Sequence, residues 1–369
     1  MKNVMSSAMN ELMIIKTGNE TVPQVHDGYT LLELARGWLK QGNSVVALEL
    51  LESAIQSKEV ETDVELRAKV LKETARSKMM QSDGDEADSL YLEAQRLFSS
   101  ISNHKGAAEC ARNRANLYFQ RGMYQHVEQY CEQALDWASQ ADDYELRASI
   151  LNTMAAAKSA TGKLKESLKI FNLCLSDFQA AGNAIRQGYV LLNIGLTQIE
   201  LEDFGCAIQK LNEALSIALK EKDLHLVEIC YQNISKCYLQ QKEATLAKSV
   251  IDTARKFLPG LNSKAVEAEL NLVDGKILRT MGHFDGALEM LEKTLIMTQE
   301  HKLTALMADV LYEQGLVARD MGRIDMARSK IDTAAGQYQK IGMEKSFKEA
   351  VEMLKQLERN TNALQHTTK

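Results

Sequence analysis

Apolar residues recur along this chain in a pattern whose unit is a pair of helices and whose period is forty residues. The clearest copy runs from Asn193 to Ala218. Leu191, Ile194, Gly195 and Ile199 fall at helical spacing, a polar turn follows, and Ala207, Leu211, Ala214 and Leu215 make a second stripe. Their spacings of four, three and one are those of a helix buried along one face. Steps of forty from Gly195 give Ala35, Ala75, Ala115, Ala155, Ser235, Gly275 and Gly315. From Ala207 they give Ala47, Ala87, Val127, Ser167, Ala247, Ala287 and Ala327, and from Ala214 they give Ala54, Ala94, Ala134, Cys174, Ala254, Thr294 and Ala334. Nothing in these columns is larger than valine, and the register holds over eight copies. Small residues let neighbouring helices approach, while Leu51, Tyr91, Phe171, Leu211, Ile251, Leu291 and Ile331 fill the space between them.

The turn inside each copy is marked by Gly42, Gly122, Gly162, Gly282 and Gly322, where positive φ ends one helix and reverses the chain. Ser82, Glu202 and Lys242 stand there in the other copies, beside Asp83, Gly84 and Asp203, which are themselves turn formers. Short polar joints near 102, 140, 180, 220, 258, 299 and 340 separate the copies, so consecutive helix pairs must stack directly. Pro259-Gly260 is the one proline break inside the array and is expected to bend it. The organisation expected is a leader or short helix over 1–27, eight copies over 28–347, a solvating capping helix over 343–359 and a disordered tail over 360–369.

Composition narrows the class without changing the architecture. A stacked repeat grows without separate cores, so 369 residues read as one continuous array rather than two or three domains. Two prolines, 20 glycines and 45% apolar residues describe a helical chain with few breakers. A net charge of -6 argues against direct nucleic-acid binding, and no stretch is apolar and long enough for membrane insertion. The N-terminal apolar run is interrupted by Asn10 and Glu11, so export is not expected. Six cysteines without a CxxC read as buried reduced thiols, which points to the cytoplasm, with the nucleus left open. Cys230 and Cys237, seven apart with His225 nearby, lack the close pairs of a zinc site. No Gly-rich phosphate loop, HExxH or nucleophile elbow occurs, so neither enzyme chemistry, cofactor nor metal is expected.

A small residue, a turn glycine seven later, alanine five after that and alanine seven further on resemble the tetratricopeptide repeat. Trp38, Tyr118 and Tyr238 occupy its first-helix aromatic position, whereas Lys78, Lys158 and Gln198 depart from it. The forty-residue length is similar to the long-repeat subclass of kinesin light chains, Pins-type adaptors and Rap-type peptide receptors. The resemblance implies an all-α fold: an α-solenoid, wound as a right-handed superhelix of eight helix-turn-helix repeats, with first helices lining a concave groove. Rap-type activity depends on a helical bundle ahead of the repeats, and with about 27 residues there it is not expected in this chain.

The resemblance also implies which side chains line the groove, and nine of the 32 such positions are basic against three acidic. Arg36, Lys69, Lys72, Arg76 and Arg112 cluster in copies one to three, with Lys236, Lys276, Arg279 and Arg319 in copies six to eight. Tyr189, Leu192, Leu196, Ile199, Ile229 and Leu239 make an apolar floor in copies five and six, with Gln232 among them. Charge would orient a ligand and apolar burial hold it. The alternative is that the basic side chains pair with Glu33, Glu73 and similar neighbours, leaving no patch. Asn113, Asn193 and Asn233 share one column, with Asn116 and Asn152 close by. In relatives such asparagines hold the backbone of an extended peptide; the alternative is a surface amide. The expected function is a non-enzymatic adaptor or scaffold gripping an extended or helical, partly acidic segment of another protein. A structural subunit of a multiprotein assembly and a Rap-like sensor of peptides or small ligands are the alternatives.

Overall fold

The computed structural model describes residues 27–257 and 263–367, with side chains from 360 onward excepted. The expected N-terminal leader, apart from Asp27, and the Pro259-Gly260 bend lie outside the described residues. Eighteen helices, α1 to α18, and no strand make up the described chain. In the first four copies the pairs are α1 (Gly28–Lys40) with α2 (Ser44–Ile55), α4 (Val64–Met80) with α5 (Gly84–Ser100), α6 (His104–Gln120) with α7 (Tyr124–Ser139), and α8 (Tyr144–Ala160) with α9 (Leu164–Ala180). The short α3 (Lys58–Thr62) lies between the first two pairs. Then come α10 (Ala184–Glu200) with α11 (Phe204–Glu221), α12 (Leu224–Gln240) with α13 (Ala244–Phe257), α14 (Lys264–Thr280) with α15 (Phe284–Glu300), and α16 (Thr304–Asp320) with α17 (Ile324–Lys340). The final helix, α18, runs Glu344–Thr367. It extends past Arg359, where the sequence reading begins a disordered tail, because no glycine or proline follows to stop it.

Where the sequence suggests one array, the chain forms two compact units, one ending at Asn183 and the other beginning at Ala184. Each repeat touches mainly its neighbours, so a boundary falls cleanly between copies. Within each unit the small-residue columns do what their size requires. Ala47, Ala87, Val127, Ala207, Ala247, Ala287 and Ala327 are fully buried, and Tyr91, Phe171, Leu211, Ile251, Leu291 and Ile331 fill the layer between paired helices. At Gly275 and Gly315 a Cβ would stand 2.6 Å from Leu291 Cδ2 and 2.4 Å from Ile331 Cγ1, which fixes how closely each first helix meets its partner. Polar members of the columns bond locally: Ser167 Oγ donates to Ala155 O (2.8 Å) and Cys174 Sγ to Ala148 O (3.1 Å).

The turns are more uniform than their residues. Gly42, Ser82, Gly122, Gly162, Glu202, Lys242, Gly282 and Gly322 all have positive φ, so Ser82, Glu202 and Lys242 bend the chain themselves rather than passing the bend to a neighbour. Gly84, expected to help the second of these turns, is the first residue of α5. In many turns and joints the residue after the bend caps the next helix. Asn43, Asp83, Asn103, Asp143, Asp203 and Asp223 each accept a backbone N–H from the first turn that follows. Five cysteines are buried, as expected, but Cys206 is exposed, because it sits one position ahead of buried Ala207 and so faces outward. Burial pushes the thiols of Cys110, Cys131, Cys174 and Cys230 up to about 12 and that of Cys237 to about 11, leaving them unreactive.

Candidate functional site

Within each unit, successive first helices touch one another while successive second helices barely meet, so the first helices line the inner side. Their side chains meet at a fixed offset. Arg36 Nε donates to Glu73 Oε1 (3.1 Å), Lys72 Nζ to Glu109, Thr153 Oγ1 to Asn116 Oδ1 (2.8 Å) and Gln232 Nε2 to Glu269 Oε2 (2.8 Å), each pair 37 residues apart. That is one repeat less about one helical turn, the offset at which parallel neighbouring helices in adjacent copies bring side chains level.

This offset decides the fate of the expected basic patch in copies one to three. Arg36 is held by Glu33 (2.6 Å) as well as Glu73, Arg76 lies 3.7 Å from the other oxygen of Glu73, and Lys69 bonds Glu65 (2.7 Å). Lys72 pairs with Glu109 and lies over the Phe98 ring. Arg112 Nη2 donates to Asn113 Oδ1 at 3.1 Å. The positive lining expected from the sequence is therefore replaced by its alternative, a network in which the basic side chains are taken up by acidic and amide neighbours. In copies seven and eight the same happens: Arg279 bonds Glu313 (2.5 Å) and Asp320 (2.9 Å), and Arg319 bonds Asp320 (2.7 Å). Of the nine basic lining residues, Lys236 and Lys276 have neither an ion pair nor a side-chain hydrogen bond among the described residues, and Lys236 is exposed.

Copies five and six differ. Leu196 is 36% exposed on the inner face of α10, with Ile199, Ile229 and Leu239 half-buried on α10 and α12. One member of the expected floor belongs elsewhere. Leu192 is only 5% exposed and packs in the core. The Tyr189 hydroxyl donates to Asp223 Oδ2 (3.1 Å), the cap of α12, as Tyr29 does to Asp63, the cap of α4. Of the asparagines, Asn233 Nδ2 donates to Ile229 O of its own helix at 2.8 Å, and Asn113, Asn152 and Asn193 are half-buried on the same face.

One group the sequence reading passed over is Glu228. It is 4% exposed on α12, and Gln232 Nε2 donates both to its Oε1 (3.1 Å) and to Glu269 of α14. Burial and the facing Glu269 carboxylate push its carboxyl up to about 8, so Glu228 keeps its proton at neutral pH. The signal was present as two acids 41 positions apart, but only the packing of α12 on α14 gives that spacing meaning. No group of three or more His, Cys, Asp or Glu is gathered for a metal among the described residues, and His225 is exposed while Cys230 and Cys237 are buried. No described helix is long and apolar enough to cross a membrane.

No family model matches the chain, and no curated protein matches it. Solved structures do. The apo form of RapI aligns over 93% of each chain at 16% identity, with a TM-score of 0.71. The fold is that of a tetratricopeptide-type α-solenoid. A Rap protein complexed with competence and sporulation factor aligns at 13% identity over 97% of this chain and 92% of its own, TM-score 0.57. Aspartyl phosphate phosphatase F from Bacillus subtilis aligns at 14% identity over 93% of this chain and 96% of its own, TM-score 0.55. The resemblance read from the repeat columns thus holds at the level of the fold. It takes in nearly the whole length of these proteins.

Proposed function

We propose that the chain is a non-enzymatic protein-interaction module that holds an extended segment of a partner protein against the inner face of copies five and six. The observation that carries this is the exposed Leu196, bordered by Ile199, Ile229 and Leu239 and by Lys236, a cation with no counter-ion among the described residues. An apolar strip provides the burial that binding needs, and an unpaired ammonium at its edge selects a carboxylate in the ligand. A Rap protein of the same fold, solved with competence and sporulation factor bound, supports ligand capture by such an architecture. The acidic residue of the partner belongs beside Lys236 rather than in copies one to three, whose basic groups are already taken. Ordering an extended segment costs affinity, which suits a reversible adaptor in the cytoplasm, where five buried free thiols stay reduced.

Selection from a displayed peptide library with the full chain tests the proposal. Enriched peptides should pair apolar residues with an acidic one and lose at least about tenfold in affinity with Leu196→Asp or Lys236→Glu. Leu173→Asp, on an exposed second-helix position, should leave them unchanged. Enriched peptides that ignore the first two variants would overturn it.

A further inference from the structure

A cavity of about 170 Å³ opens in the second unit, lined by α14, α16, α17 and α18. Much of its polar lining is satisfied internally. Tyr338 Oη donates to Asp309 Oδ1 (2.7 Å), and Glu313 is committed to Arg279 (2.5 Å). What remains is open to solvent and carries charge of both signs. The Lys276 ammonium and the hydroxyls of Tyr312 and Ser346 have no hydrogen-bond partner among the described residues, and neither does Glu349. Burial and the nearby Glu349 carboxylate raise the Tyr312 hydroxyl above its ordinary value, which keeps its proton in place as a donor. Asp309 also keeps one oxygen free of Tyr338.

A simple anion entering here would meet Lys276 but also Asp309 and Glu349; a simple cation would meet the carboxylates but also Lys276. A molecule carrying both charges a few bonds apart answers both groups at once. The volume lies below the roughly 300–1,000 Å³ of drug-sized pockets, so the guest is about the size of one amino acid. We infer that this cavity binds a free α-amino acid or similar small zwitterion, its carboxylate held by Lys276, Tyr312 and Ser346 and its ammonium by Glu349 and Asp309. Two of these groups, Ser346 and Glu349, come from α18, so the ligand ties the capping helix to copies seven and eight. The inference does not rest on the peptide-binding reading, whose face lies on α10 and α12.

Titration calorimetry of the full chain with each of the twenty standard L-amino acids, in an amine-free and carboxylate-free buffer, tests it. At least one free amino acid should bind, and its N-acetyl and C-amide derivatives, each lacking one charge, should bind at least about tenfold more weakly, as the loss of a charged hydrogen-bonding group implies. Lys276→Gln and Glu349→Gln should each cost the same factor. Glu352→Gln, on the same helix but outside the cavity lining, should cost nothing. Absence of binding by every free amino acid overturns the inference. So does equal binding of either derivative, which would make the site one for a single charge, or binding that survives both Lys276→Gln and Glu349→Gln. Loss of peptide binding in Leu196→Asp with amino-acid binding intact would separate the two sites.

Discussion

The inner faces of copies one to three and of copies five and six are built on the same positions of the same repeat, yet they present opposite surfaces. The first is rich in charge and electrically closed: Arg36, Lys69, Lys72 and Arg76 each meet a carboxylate, two of them the same Glu73. The second has few charges and is open, with Leu196 reaching solvent and Lys236 unpaired among the described residues. A count of basic residues at lining positions therefore misleads in a repeat array. Every lining position faces the copy after it at a constant offset, and an acid at that offset converts a patch into a ladder. The exposed apolar residue, which no charge count detects, is the better guide to a binding face.

The contrast can be broken most forcefully at Glu73. It is 7% exposed and serves both Arg36 and Arg76, so Glu73→Gln leaves two cations under-compensated. Because both arginines keep some exposure, we expect a loss of about 2 kcal/mol rather than the larger cost of a fully buried pair, read from urea unfolding of the full chain. Glu228→Gln, equally buried in the other region, should instead leave stability unchanged or raise it at neutral pH, since an amide replaces a carboxyl that must take up a proton on folding. Equal effects of the two would remove the distinction between closed charge and a protonated carboxyl.

A smaller effect should come from the turns. Glu202 and Lys242 hold φ of 60° and 62°, a conformation that costs a side-chain-bearing residue roughly 1–2 kcal/mol over glycine's freedom. Glu202→Gly and Lys242→Gly should each raise stability by about 1 kcal/mol after the greater chain entropy of unfolded glycine is subtracted. Calorimetric melting checks this, and Ser82→Gly provides the matching change in the first unit.

The subtlest effect is on pH dependence, with opposite signs at Glu228 and at the capping aspartates of the first unit. Glu228 keeps its proton when folded up to about pH 8, against 4.5 when exposed, so its favourable contribution is complete below 4.5 and lost as pH rises through 8. Asp63 and Asp143 are lowered by the side chains of Tyr29 and Lys105 and by helix-capping N–H groups. Their contribution is present above the ordinary aspartate value of 3.8 and lost below it. Hydrogen exchange corrected for intrinsic rates should quicken severalfold in α12 and α14 between pH 6 and about 8.5 while α4 and α8 hold; Glu228→Gln should abolish the change. Below about pH 4 the order should reverse.

Much of the fold was legible because stacking imposes one steric demand per copy. Ala207 and its equivalents must be small wherever two helices cross closely, so the columns survive when neither turn residue nor surface does. The turn position was equally legible, although Ser82, Glu202 and Lys242 hid it by residue type. The site was legible only in part. Leu196 and Lys236 are exposed, which leaves them open to the contact proposed for them. Leu192 is not, because a leucine stripe on a first helix serves the core and the inner face from adjacent positions, and only packing divides them. No local pattern reveals that the Tyr189 hydroxyl bonds Asp223, 34 residues on, or that Arg36 pairs with Glu73, 37 residues on. The cavity beside α18 escaped the repeat pattern because the capping helix belongs to no copy.

The central claim is that binding uses the open apolar face and not the charged one. Hydrogen-exchange mass spectrometry of the full chain with and without a selected peptide tests it directly. Protection is predicted in α10 and α12, with α4 and α6 unchanged. Protection centred on α4 and α6, with α10 and α12 unaffected, would contradict it.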